Sequence, residues 1–230
     1  MKFEQISLKT IDKPIIMCYD ICANIKRDVF FVELIQLANI IQGNIPTRIE
    51  VSVGKTLETI TIQELNYIAN VSDDFPVAKY LTVQSEKADS YVFTQSGDVL
   101  VGLSTGKAIV IEPIKAEKLV LSNMAIVRIK NVNQIDPYYL CWYINENKAA
   151  LKELNKLKQA TAATSIIPLS MLKNFEIVLL PIEKQRIIGK IYELKRQRDR
   201  ITHSIETKKT ELLSHQLVKI FEKESNNGNK

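Results

Sequence analysis

Hydrophobic and polar positions change period along this chain, and the longest unbroken pattern lies at its C-terminal end. In LPIEKQRIIGKIYELKRQRDRITHSIETKKTELLSHQLVKIF, residues 180–221, no proline follows Pro181 and the only glycine before Gly228 is Gly189. About forty residues can therefore share one helix about 60 Å long, well beyond the usual globular helix. Ile187, Ile191, Leu194, Ile201, Ile205 and Leu212 follow steps of three and four and form one apolar seam, broken where Arg198 and Lys208 occupy seam positions. Leu213, Leu217, Ile220 and Phe221 move the stripe by one position, so no single heptad register runs throughout. Such a seam needs a partner helix, on this chain or on a second one. The other faces carry Lys195, Arg196, Asp199, Arg200, Lys209 and Glu211 as a solvated surface, and residues 224–230 are expected to fray as a polar tail.

Upstream the period shortens. Residues 1–28 show only mixed short patterns. FFVELIQLANIIQG, from Phe30 to Gly43, reads as a strand running into a short helical turn. Residues 46–62 are β-branched and alternating, a strand that ends in a helical turn at Gln63-Glu64-Leu65. One or two short strands are expected within 77–92. A strand at 99–103 then turns through Ser104-Thr105-Gly106 into a second strand, KAIVIE. Further strands fall at 118–121 and 125–129. Asp136 caps a helix with Pro137 in its first turn, running as YYLCWYINENKAALKELNKL with Leu140, Tyr143, Ile144, Leu151 and Leu154 facing the core. A small-polar loop, KQATAATS, and a last strand at 175–180 lead to the long helix. The expected fold is α+β: a mixed α/β globule followed by one long C-terminal coiled-coil helix.

Composition narrows the function classes. An apolar fraction of 46% with 25% charged residues excludes wholesale disorder. A net charge of +5 suits a polyanionic partner without selecting one. Cys18, Cys22 and Cys141 have neither zinc-site spacing nor the even count of a disulfide framework. No secretion signal is evident and no apolar run reaches eighteen residues, so an intracellular, cytoplasmic protein with no membrane partner is expected.

Enzyme signatures fail one by one. GLSTGKA at 102–108 has three residues between its glycines and Ala after Lys107, so it is no phosphate loop. Asp136-Pro137-Tyr138-Tyr139 lacks the second proline of the amino-methyltransferase signature. Glu146-Asn147-Lys148 imitates a nuclease metal site but falls on a predicted helix. His203 and His215 are more than three helical turns apart and cannot share a metal or a proton. No catalytic residue, metal ligand or cofactor of this chain's own is expected.

The order of elements resembles the specificity (S) subunits of type I restriction-modification enzymes. The carrying motifs are VELIQLANIIQG (32–43), TITIQEL (59–65), Gly97-Asp98-Val99-Leu100-Val101, the Gly106-Lys107 turn into Ala108-Ile109-Val110, Ser122-Asn123-Met124-Ala125, Asp136 to Leu140 as an Asp-Pro-x-Tyr-Leu helix start, and Leu180-Pro181 with Gln185 opening the long helix. The Glu usual before that Gln is here Lys184, with Glu183 one step earlier. Full-length members carry two recognition domains and two such helices. This chain has one of each, which implies a half-size subunit.

The resemblance implies an N-terminal segment at 1–28 belonging to the globule, a target-recognition domain at 29–180, a dimerisation helix at 181–223 and a tail at 224–230. It implies a non-catalytic DNA-recognition role on double-stranded DNA, as a homodimer that is held together through Ile187, Ile191, Leu194, Ile201, Ile205 and Leu212 of the helix and reads a bipartite target. A separate DNA methyltransferase subunit, which would carry the S-adenosylmethionine, is the implied partner, with a restriction subunit as a further one. Loops rich in Lys, Arg, Gln, Ser and Thr supply the expected DNA contacts: Arg48 and Lys55; Ser104, Thr105 and Lys107; Lys156, Lys158, Gln159, Thr161, Thr164 and Ser165. The competing reading is a coiled-coil adaptor whose globule binds protein; a nuclease fragment is a third.

Overall fold

The computed structural model describes residues 30–70, 75–159 and 166–227. Three small sheets and seven helices make up this part of the chain. Strands β1 (Phe30–Glu33) and β9 (Glu176–Leu179) pair antiparallel. Strands β2 (Ala38–Gln42), β8 (Met124–Ile129), β5 (Val99–Gly102) and β6 (Ala108–Val110) form a four-stranded antiparallel sheet in that order. Strands β4 (Lys79–Val83), β3 (Glu50–Ile60) and β7 (Leu119–Val120) form the third.

The central strands explain the architecture. β5 and β8 read as continuous apolar runs because both of their faces are covered. Val99, Val101, Ala125 and Val127 pack with Leu140, Tyr143 and Ile144 of helix α4 (Pro137–Glu146). The alternate residues Leu100, Met124 and Ile126 pack on the opposite face with Ile60 and with Leu65 of helix α3 (Ile62–Ile68). Thr61 caps α3 by accepting the Glu64 N–H at 3.0 Å.

Several elements depart from the sequence expectations. Ala38–Gln42 is a strand on the edge of the four-stranded sheet, separated from β1 by the single turn α1 (Leu34–Leu37). Pairing with β8 decides it, since the apolar run suits a helix or a strand equally. Pro46–Ile49 forms a helical turn, α2, with Pro at its start, so strand β3 begins only at Glu50. Ser85–Ser90 is a 3₁₀ turn. The helix expected to run unbroken from Asp136 is two helices, α4 and α5 (Lys148–Gln159). Asn147 takes an extended backbone between them, and its Oδ1 accepts the Ala149 and Ala150 N–H groups at 3.0 and 3.1 Å. An asparagine that can cap from its side chain competes with continued helix. Helix α6 (Leu169–Lys173) had no strong periodic signal.

Asp136 does cap α4, accepting the Tyr139 N–H at 2.9 Å. Tyr139, Trp142 and Tyr143 of α4 and Phe175 before β9 make a chain of ring contacts, and the Tyr139 hydroxyl donates to the Val178 carbonyl at 2.7 Å. Burial pushes the Tyr139 phenol and the Cys141 thiol well up, so both stay neutral.

Helix α7 (Ile182–Asn227) has 46 residues and is about 69 Å long. Its first turns lie on α4 through Gln185, Ile188, Gly189, Tyr192 and Arg196, while from 201 to 222 every side chain is exposed. The helix passes residue 224 and continues to Asn227, into the expected tail, because no Gly or Pro stops it before Gly228. Gln185 is 1% exposed: its Oε1 accepts the Asp136 N–H at 3.1 Å, and its Nε2 donates to the Gln134 and Leu180 carbonyls at 3.0 and 2.7 Å. A Cβ at Gly189 would lie 2.4 Å from Asp136 Oδ1 and 2.9 Å from the Tyr139 nitrogen.

Two substitutions test this junction. Gly189→Leu must displace the Asp136 cap, and Gln185→Leu removes the partner of three part-buried backbone groups. Each is expected to cost about 1–3 kcal/mol and to lower the thermal midpoint by several degrees in a calorimetric scan. An exposed control away from the junction, Lys87→Ala, should leave the midpoint within about one degree.

Candidate nucleic-acid interface

The β5–β6 connection is the most tightly built turn bearing candidate DNA contacts. Gly102 closes it by donating to the Lys107 carbonyl at 2.9 Å, and the Gly106 N–H returns to the Gly102 carbonyl at 2.7 Å. Thr105 Oγ1 accepts the Lys107 N–H at 3.3 Å. Gly106 has φ +68°, a left-handed conformation that glycine adopts without strain. The Lys158 side chain crosses directly over it: a Cβ at Gly106 would lie 2.9 Å from both Cε and Nζ of Lys158.

Lys158 Nζ donates to the Thr105 carbonyl, and Lys107 Nζ donates to the Asn145 carbonyl at 3.5 Å. The structure thus brings Thr105, Lys107 and Lys158 together from separate parts of the sequence. Burial and then the neighbouring Lys107 charge hold the Lys158 ammonium below the usual lysine range. Two cations held beside one turn form a local field suited to an anion such as a phosphate oxygen. Ser104 is exposed on the same turn. Ile167, whose N–H donates to the Leu103 carbonyl at 2.9 Å, anchors the chain beside the turn. Thr161, Thr164 and Ser165 lie outside the described residues.

A side chain that sequence reasoning passed over holds the turn in place. Asn145, at the end of α4, accepts the Ala108 N–H at 2.9 Å and donates to the Ala108 carbonyl at 2.7 Å, as a neighbouring strand would. The free edge of β6 is thereby closed by one side chain. Asn145 Nδ2 also donates to the Tyr192 hydroxyl at 2.7 Å, which accepts from Arg196 Nη1 at 3.0 Å. Hydrogen bonds thus run from the strand after the turn to the long helix. No sequence pattern marks Asn145, because its partners are set by tertiary packing.

The remaining candidates stand apart. Lys156 and Gln159 lie with Lys148, Leu151, Lys152 and Asn155 around a shallow surface depression along α5. Lys148, Lys152 and Lys156 repeat every four residues on one helical face, a stripe legible from spacing but not singled out there. Arg48 lies in the last turn of α2, and Lys55 lies on β3 just past an irregularity at which Glu50 and Lys55 both pair with Val83. Both are exposed, and no described contact joins them to the Lys107 turn. Ile187, Ile191, Leu194, Ile201, Ile205 and Leu212 are all exposed on α7, between 48% and 63%.

Among the described residues no group of three His, Cys, Asp or Glu side chains could hold a metal ion. Glu146 lies on a helix as expected, though at the end of α4, and pairs with Lys195 at 2.6 Å. No described helix is long and apolar enough to cross a membrane.

No protein-family model matches the chain, and no curated protein matches it either. Solved structures do. The chain superposes on the HsdS subunit from Thermoanaerobacter tengcongensis with a TM-score of 0.52 at 18% identity, over 81% of this chain and 42% of that one. It matches a chain from a structural study of complex assembly and conformational transition in the type I R-M system with a TM-score of 0.55 at 19% identity, over 80% and 47% respectively. The chain therefore spans less than half the length of the solved chains it matches. Its fold, a mixed α+β globule with a long C-terminal helix, is that of type I restriction-modification S subunits.

Proposed function

We propose that this chain is a DNA-recognition subunit of a type I-like restriction-modification system, acting in the cytoplasm without chemistry of its own. It binds double-stranded DNA through the globule and pairs with a second copy through α7. It thereby directs a separate methyltransferase subunit, which carries the S-adenosylmethionine, to a bipartite target; a restriction subunit is a further partner. The observation that carries the reading is the S-subunit fold joined to a helix whose apolar seam is left uncovered. An uncovered seam of that length is a liability alone, and an isologous contact between two copies removes it. Two globules at opposite ends of the pair would each face one half-site, so the symmetry of the dimer would appear as palindromy in the target.

Within the globule, the paired Lys107 and Lys158 beside the Thr105–Gly106 turn act on backbone phosphates. Lys148, Lys152 and Lys156 along α5 extend that basic surface. Ser104 and Gln159, which can both donate and accept, are suited to base edges. Arg48 and Lys55 form a separate group, engaged if the duplex reaches the β3–β4 sheet.

Affinity for duplex DNA is expected to fall steeply between about 50 and 200 mM salt through counterion release. Lys107→Glu with Lys156→Glu should weaken binding at least tenfold and flatten the slope of log affinity against log salt by about one for each lost phosphate contact. Fluorescence anisotropy across a salt series measures both. Affinity that stays flat for every duplex tested would rule the reading out. Unchanged affinity in the double variant would move the DNA surface elsewhere on the globule. In the native host, deleting the gene should erase one palindromic bipartite motif from the methylome. An unchanged methylome with expression verified favours the protein-adaptor reading.

A further inference from the structure

Resting on the dimer proposed above, whose globules lie at opposite ends of the helix pair, we infer that its two-fold axis crosses α7 between Asp199 and Arg200, a register set by the seam's own charges. Gln185, Gly189, Tyr192 and Arg196 occupy the side of α7 that faces α4, and the seam lies on the opposite side. Ile187, Ile191, Leu194, Arg198, Ile201, Ile205, Lys208 and Leu212 succeed one another in steps of four and three, which fixes the heptad phase.

A parallel pair in register would set Arg198 against Arg198 and Lys208 against Lys208, two like-charge layers in one short seam. An antiparallel pair sets each first-type seam position against a second-type one instead. With the axis between Asp199 and Arg200, Ile187 meets Leu212 of the second copy and Leu194 meets its Ile205. Arg198 then faces Ile201, and Lys208 faces Ile191. Each cation lays its aliphatic stem on an isoleucine and carries its charge out to water. On the flank, Lys190 comes opposite Glu211, an attractive pair formed twice by symmetry.

Moving the register by one heptad loses this in either direction. One way, Arg198 meets Lys208 and Lys195 meets Lys209. The other way, Lys184 meets Lys208 and Glu183 meets Glu211. The favoured register also sets the second copy's Leu217 level with Ile182, at the start of α7. Ile182 bounds a shallow groove with Val32, Leu37, Leu179 and Leu180. Here the neighbour of the helix end is a globule instead of a helix, which accounts for the apolar stripe turning to a new face after Leu212.

Thiol cross-linking decides the register in the full chain. In a Cys18→Ser, Cys22→Ser background, a mixture of Leu194→Cys and Ile205→Cys proteins should yield a covalent dimer with a short bismaleimide, and neither protein should do so alone. Cross-linking of Leu194→Cys to Leu212→Cys in its place would mean a one-heptad shift and overturn the register. Self-cross-linking of Leu194→Cys alone would mean a parallel pair and overturn it as well. A monomer in sedimentation equilibrium of the unmodified chain overturns both register and homodimer, whereas DNA affinity is read independently. Lys190→Glu should raise the dimer dissociation constant about fivefold, and adding Glu211→Lys should restore it to within about twofold. Lys190 also pairs with Glu193 on its own helix at 2.8 Å, but Glu211→Lys cannot repair that contact. A double variant that stays weak therefore counts against the register.

Discussion

The Gln185 amide holds the place where the globule becomes a rod. One side chain there satisfies the backbone N–H of the α4 cap residue and two carbonyls, from the loop before α4 and from the end of the segment leading into α7. All three groups are partly withdrawn from water, so leaving any of them unpaired carries a cost. Gly189, one turn further, lets the two helices approach until the Asp136 carboxylate and the glycine backbone are in contact. The direction in which α7 leaves the globule is set at these two residues together with Ile188, Tyr192 and Arg196. Every later part of the rod inherits that direction, because a straight helix carries its starting orientation along its whole length.

The same packing that seats α7 also shapes the candidate reading surface. Asn145 ends α4 and is shared between the β6 edge and Tyr192 of α7. The turn carrying Thr105 and Lys107 is therefore braced against the helix that presents the seam. Breaking the helix at Asn147 is what lets α5 swing Lys158 across Gly106. A continuous helix from Asp136 would have kept its single direction and carried Lys158 away from the turn. Local capping chemistry thus decides which cations meet.

Charge has two uses in this chain. On the globule, Lys107 and Lys158 stand close enough for each other's charge to matter. On the rod, Arg198 and Lys208 interrupt an apolar stripe, and in the proposed dimer they would disfavour most alignments. A seam with no such interruption would pair in many registers. Two cations placed unevenly along it leave few alignments free of repulsion, the logic by which polar residues specify coiled-coil register.

Much of this was legible in the sequence. The long helix, its seam, the β5–β6 hairpin and the Asp136 cap rest on local physics: helical periodicity without a breaker, apolar runs around a Gly-containing turn, and a capping side chain before proline. The short elements were less so, because Ala38–Gln42 and Pro46–Ile49 owe their state to strand pairing and to the proline rather than to any local period. The candidate site divides the same way. Ser104, Thr105 and Lys107 could be picked out together because they share one turn. Their meeting with Lys158, the bracing by Asn145 and the separation of Arg48 and Lys55 all depend on residues 37 or more positions apart. Local sequence determines which segments can form elements and which faces are apolar, since those follow from each residue and its near neighbours. Which polar groups meet was decided only by tertiary structure, because burial must satisfy every donor and acceptor at once, whatever their distance along the chain.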